Sequence, residues 1–174
     1  MLLIPTHLKN SLMPIGDEND EFQVSGAIRC SCGSERFHIL IYADTENGYP
    51  QVRDYKGDTA LVIKAVCTDC EKDYFLFDAA QHGWNSFACP EGISVPDEEL
   101  ESWSCPKCSG ESFHIEMKIS SQGKEDFIDE TGIAGGESDF EEADWVNAFS
   151  WIVIGLKCSA CGHTDEEWID YETM

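Results

Sequence analysis

The sequence predicts a mainly β protein made of two similar modules in tandem, each a small antiparallel sheet carrying two cysteine knuckles. Three observations predict this. Short runs alternate apolar and polar residues with the period of a strand. Eight of the nine cysteines fall into four close pairs, and "CGSERFHI" at 32–39 returns 76 residues later as "CSGESFHI" at 108–115.

Taken in order, residues 1–27 form an N-terminal arm whose pattern suits an added strand and an unpaired segment equally well. The first module covers 28–78. Phe37, Ile39 and Ile41 alternate after its first knuckle, "ALVIKAV" leads into the second knuckle, and "YFLF" follows it. Residues 79–102 read as a linker, with two prolines, two glycines, a closing acidic run and some apolar anchors. In the second module, 103–174, Phe113, Ile115, Met117 and Ile119 share one strand face, while His114, Glu116 and Lys118 share the other. "SWIVIGLK" and "EWIDY" flank its second knuckle, and an acidic insertion at 120–145 precedes them. Each module is thus expected to hold about three strands.

Three cysteine pairs have the C-x-x-C spacing ("CTDC", "CPKC", "CSAC"), and the fourth is the shorter "CSC". One tight turn of this kind brings two thiolates to an ion at about 2.3 Å, and two turns complete a tetrahedron. The repeat decides which turns go together. Cys32, Glu35, Phe37, His38 and Ile39 match Cys108, Glu111, Phe113, His114 and Ile115 at an offset of 76, whereas Val62, Ile63, Cys67 and Cys70 match Val153, Ile154, Cys158 and Cys161 at 91. Each copy therefore carries its own two knuckles. Site one is Cys30, Cys32, Cys67 and Cys70; site two is Cys105, Cys108, Cys158 and Cys161. Redox disulfides are the competing reading, but catalytic C-x-x-C pairs normally accompany a βαβ pattern, which is missing here.

With these knuckles the chain resembles the zinc-ribbon, or rubredoxin-like, superfamily over roughly 28–78 and 103–171, departing from its pattern in the one-residue spacing of Cys30 and Cys32. The resemblance implies two structural zinc ions, with iron as another metal that accepts four sulfurs. It implies no particular function, because one scaffold serves many. A three-stranded module buries little core, and structural zinc supplies about 10–16 kcal/mol of apparent binding free energy, so metal is expected to be required for folding.

Other candidates receive plainer readings. His38 and His114 recur, and solvent exposure or a hydrogen bond to a neighbour is favoured over a ligand role, since four cysteines already complete each site. Cys89 has no partner at knuckle spacing. A buried small thiol is favoured over a nucleophile assisted by His82.

Acidic side chains number 34 against 11 basic ones, a net charge of −23. Such a chain repels phosphate backbones and lipid headgroups and attracts basic proteins. "MLLIP" is broken by Pro5 before it can act as a leader, and the expected compartment is the cytoplasm, where cysteines stay reduced. Charge also separates the copies. Arg29 to Lys72 holds six basic and seven acidic residues, whereas Cys105 to Cys161 holds four and eleven. In the insertion, Phe127, Ile128, Ile133 and Phe140 stand among carboxylates, a composition suited to a basic, partly apolar protein surface and equally to a solvated loop.

The expected function is a non-enzymatic, zinc-stabilised interaction protein that meets a basic partner through its acidic second module. No turnover is expected, because catalytic zinc keeps an open coordination position. The alternative is nucleic-acid binding through the near-neutral first module, where Arg29, Arg36, Lys64 and Lys72 with a tyrosine could form a small patch.

Overall fold

The computed structural model describes residues 2–90, 92–136 and 138–174. A hairpin of β1 (Leu12–Pro14) and β2 (Gln23–Ile28) follows a 3-10 turn at Thr6–Leu8. The first copy contributes β3 (Phe37–Tyr42), two small hairpins made of β4 (Asp44–Glu46) with β5 (Tyr49–Gln51) and β6 (Arg53–Tyr55) with β7 (Asp58–Ala60), then β8 (Val62–Cys67) and β9 (Asp73–Asp78). Helix α1 (Trp84–Ala88) and β10 (Glu101–Ser102) lie between the copies. The second copy contributes β11 (Phe113–Ser120), α2 (Lys124–Thr131), β12 (Trp151–Cys158) and β13 (Thr164–Glu172). Every strand pair is antiparallel, and the protein is mainly β.

The repeat in sequence is a repeat in register. Within copy one Phe37 faces Cys67, Ile39 faces Ala65 and Ile41 faces Ile63; within copy two Phe113 faces Cys158, Ile115 faces Leu156 and Met117 faces Ile154. These are the same pairs under the 76- and 91-residue offsets. Both copies also break register after the same position, between Ile63 and Lys64 on β8 and between Ile154 and Leu156 on β12. The second bulge places consecutive Trp168 and Ile169 in the interior, at 2 % exposure each.

The copies meet where Phe37 pairs with Phe113. Each is the other's counterpart in the repeat, so the contact has the self-complementary character of a local two-fold axis. Period-two alternation sends Phe37, Ile39, Phe113, Ile115, Met117 and Ile119 inward, where they join one buried cluster drawn from both copies. Burial of each contributes about 1.5–3 kcal/mol.

Segments outside the copies complete the sheet. β2 pairs along β11, with Val24 opposite Ile119, and β10 pairs with β3. The arm thus adds its strand to the second copy, far along the chain from itself. The two small hairpins turn through Asn47-Gly48 and Lys56-Gly57, all four with positive φ, the backbone that a two-residue hairpin turn needs.

The acidic insertion is folded. Phe127 on α2 is buried, with its ring 6.0 Å from Trp84, 6.2 Å from Phe87 and 6.2 Å from Phe140. Phe140 and Ile133 also pack on the core, while Ile128 is half-buried. The apolar residues expected to be offered among carboxylates are largely spent inside, joining the insertion to α1. Among the described residues no helix is long and apolar enough to cross a membrane.

Candidate metal centres

Both four-cysteine sets come together. The sulfurs of Cys30, Cys32, Cys67 and Cys70 lie within 4.8 Å of one another, as do those of Cys105, Cys108, Cys158 and Cys161. In site one Cys30 and Cys70 are 3.4 Å apart and Cys32 and Cys67 3.6 Å; in site two Cys105 and Cys161 are 3.7 Å apart and Cys108 and Cys158 3.6 Å. A metal with four Zn–S bonds of about 2.3 Å would separate its sulfurs by about 3.8 Å, so both donor sets fit a tetrahedral ion.

Local turns produce this geometry. Within each C-x-x-C knuckle the residue after the second cysteine returns its N–H to the first cysteine's carbonyl: Glu71 to Cys67 at 3.0 Å, Ser109 to Cys105 at 2.8 Å and Gly162 to Cys158 at 3.0 Å. In the short knuckle Gly33 does the same to Cys30 at 2.9 Å, one residue tighter. All four of these residues are left-handed, with φ of 93° at Gly33, 61° at Glu71, 59° at Ser109 and 75° at Gly162. The missing residue in Cys30-Ser31-Cys32 is therefore absorbed by a smaller turn, and the sulfurs still converge. In each knuckle the first cysteine is buried and the second exposed.

Backbone N–H groups and neighbouring hydroxyls favour thiolates. Burial pushes the Cys30 thiol up, but the Cys32 N–H, the Tyr74 hydroxyl and the adjacent thiols outweigh it and bring Cys30 down to about 6. The Tyr74 hydroxyl donates to Cys30 Sγ at 3.3 Å. The Cys161 N–H leads the groups that hold Cys158 down to about 7, against burial. The Lys72 N–H favours a Cys70 thiolate, yet proton sharing with Cys30 and burial push it up to about 12. Cys108 likewise has the Gly110 N–H in its favour and is raised to about 12 by Cys161, burial and Cys158. A metal entering either cluster would have to displace these late protons, which would tie loading to pH. With four sulfurs each, the sites would hold metal as closed structural centres. Tyr74 was not among the sequence candidates, since a tyrosine in a strand run carries no mark of a thiol partner.

The remaining candidates fall elsewhere. His38 is exposed and its Nδ1–H donates to the Glu111 carbonyl at 2.8 Å, a hydrogen bond between the copies beside the Phe37–Phe113 contact. His114 is half-buried. Cys89 is exposed at the end of α1, which corrects the expectation of a buried thiol: the five-residue helix buries none of its side chains fully, and Cys89 follows it. His82 is engaged away from Cys89, stacked on His7 at 3.7 Å and accepting the Asp78 N–H through Nδ1 at 3.0 Å. Lys64 is 4 % exposed, between Asp73 at 3.0 Å and Asp97 at 2.9 Å. Arg29 pairs with Glu35 and Arg36 with Asp69, while Lys72 lies over the Tyr74 ring.

The structure thus holds two tetracysteine clusters able to bind metal, compatible with ribbon-like modules. Compared with protein-family models, curated proteins and solved structures, the chain matches none.

Proposed function

We propose that the protein is a non-enzymatic, zinc-stabilised member of the zinc-ribbon superfamily that presents an acidic surface to a basic protein partner. Eight thiols in two closed clusters support two structural zinc ions, and cysteine sulfur is the donor that zinc prefers for such a role.

The observation that carries the partner reading is the pattern of ion pairs. The first copy spends Arg29, Arg36, Arg53 and Lys64 on its own or linker carboxylates, whereas in the second copy Lys124 with Glu142 is the ion pair among the described residues. With four basic against eleven acidic residues from Cys105 to Cys161, most carboxylates of the second copy stand outside any ion pair among the described residues, which favours a cationic partner and repels phosphate.

The test uses the zinc-loaded full chain, checked for two zinc ions by native mass spectrometry. It is titrated at low and raised salt with a polylysine peptide and with a single-stranded oligonucleotide. Polylysine is expected to bind, more weakly as salt rises, and the oligonucleotide to stay free. The opposite order would assign the protein to nucleic acid.

A further inference from the structure

A groove of about 920 Å³ runs between the β4–β5 hairpin and β13. All nine residues from 163 to 171 line it. A cavity over a sheet face would be lined by alternate residues, because side chains alternate across a strand. Lining by consecutive residues places this one along the strand's edge. β13 pairs with β12 alone, and although β5 comes close to it the two form no ladder, so its outer N–H and C=O groups belong to no strand pairing among the described residues. Such an edge is a template for another strand.

The walls define what would fit. Glu46, Asp165, Glu166, Glu167 and Asp170 line the groove, no Lys or Arg does, and none of the five carboxylates is in an ion pair among the described residues. Tyr49 and Val52 on the opposite wall are 44 % and 40 % exposed, large apolar surface for a side chain to cover. Trp168 borders the groove with its ring buried against Trp103.

Resting on the reading of a basic partner, we propose that this groove receives an extended, Lys- or Arg-bearing segment of that partner, added as a strand to the outer edge of β13. Main-chain hydrogen bonds would hold the segment, and alternate side chains would meet the carboxylates on one side and the Tyr49–Val52 wall on the other.

The probe is a labelled nine-residue peptide alternating Lys and Val, titrated by fluorescence anisotropy against the zinc-loaded full chain at low salt. A second peptide carries N-methyl groups at alternate residues, which removes ladder donors and keeps the charge. Binding is expected to fall at least about tenfold with the N-methylated peptide and with Glu166→Lys/Glu167→Lys. Reversal of two exposed acids on α2, Asp126→Lys/Glu130→Lys, is expected to change it less than about twofold. Equal binding of both peptides, or an equal loss from the α2 reversals, overturns the groove while leaving the basic-partner reading standing. Failure of the Lys–Val peptide where polylysine binds also overturns the groove alone; failure of both overturns the reading beneath it. If the charge-reversed groove variant loses zinc or its thermal midpoint, the N-methylated peptide on the unmodified protein still decides.

Discussion

The two copies agree in their inner strands and part at their outer ones. In the first copy the N-terminal turn packs against β9, where His7 Nε2–H donates to the Leu76 carbonyl at 3.2 Å. In the second copy the corresponding strand, β13, borders an acidic groove. A similar divergence occurs one strand inward. Lys64 on β8 corresponds to Gly155 on β12; the first is clamped by Asp73 and Asp97, while a Cβ at the second would come within 3.1 Å of the Glu166 carbonyl. The common part is what the knuckles and the Phe37–Phe113 contact require. Strands beyond them carry no knuckle cysteine, so one could acquire a cover and the other a groove.

Metal removal should have the largest effect on this comparison. Cys67→Ser and Cys158→Ser each take one thiol from one site, and structural zinc supplies about 10–16 kcal/mol of apparent binding free energy. Each variant is expected to lose one zinc by native mass spectrometry. Both are expected to unfold in one transition by circular dichroism, because a single buried cluster contains residues of both copies. Two separate transitions would show that the copies are energetically independent.

Acid should act through the covered copy. Burial holds His7 down at about 4, and burial with the neighbouring ring holds His82 at about 3. The unfolded chain takes up protons near 6.5 while the folded one does not, so this contribution is complete above 6.5 and shrinks as pH falls toward 4. From pH 7.5 to 5.5 it should decline by about 1.4 kcal/mol per histidine. Urea melts of the zinc-saturated protein at the two pH values, compared with those of His7→Gln/His82→Gln, isolate it. An identical pH slope in the variant would remove the histidine pair from the account.

A change of similar or smaller size tests the buried lysine. Burial opposes the charge on Lys64, but Asp97 and Asp73 more than restore it and raise its pKa. Asp97→Ala should destabilise by about 1.5–3 kcal/mol, the worth of a hydrogen bond to a charged group, and should loosen the linker at β10 in hydrogen exchange. Gly155, the position's counterpart, has no such tie, so nothing comparable is expected in the second copy.

The smallest effect compares knuckles. Each copy has one glycine and one non-glycine at the left-handed position: Gly33 and Glu71 in the first, Ser109 and Gly162 in the second. A non-glycine residue there costs about 1–2 kcal/mol, partly offset by the chain entropy that glycine loses. Glu71→Gly and Ser109→Gly should each stabilise by about 0.5–1 kcal/mol in a thermal melt with zinc count unchanged. A loss of stability in either would mean that its side chain contributes contacts that outweigh the strain.

Much of the core was legible because its causes are local. Knuckle spacing is a property of single turns, so the eight cysteines and their division into two sets could be read from offsets of 76 and 91. Alternation likewise placed Phe113, Ile115, Met117 and Ile119 on the buried face. The Asn47-Gly48 turn was a readable hairpin signal that went unused, and that hairpin forms a wall of the groove.

The amino-acid sequence by itself determined which thiols meet, which strand faces turn inward and where negative charge is in excess. Tertiary structure decided the rest. Whether β2 would pair with β11, whether Phe127 would be offered to solvent or buried against Trp84 and Phe87, and which outer edge would stay open all depend on distant segments competing for the same edges and apolar surface. Periodicity tells a strand which face to bury, but it does not name the neighbour along its edge, because backbone donors and acceptors are the same in every strand.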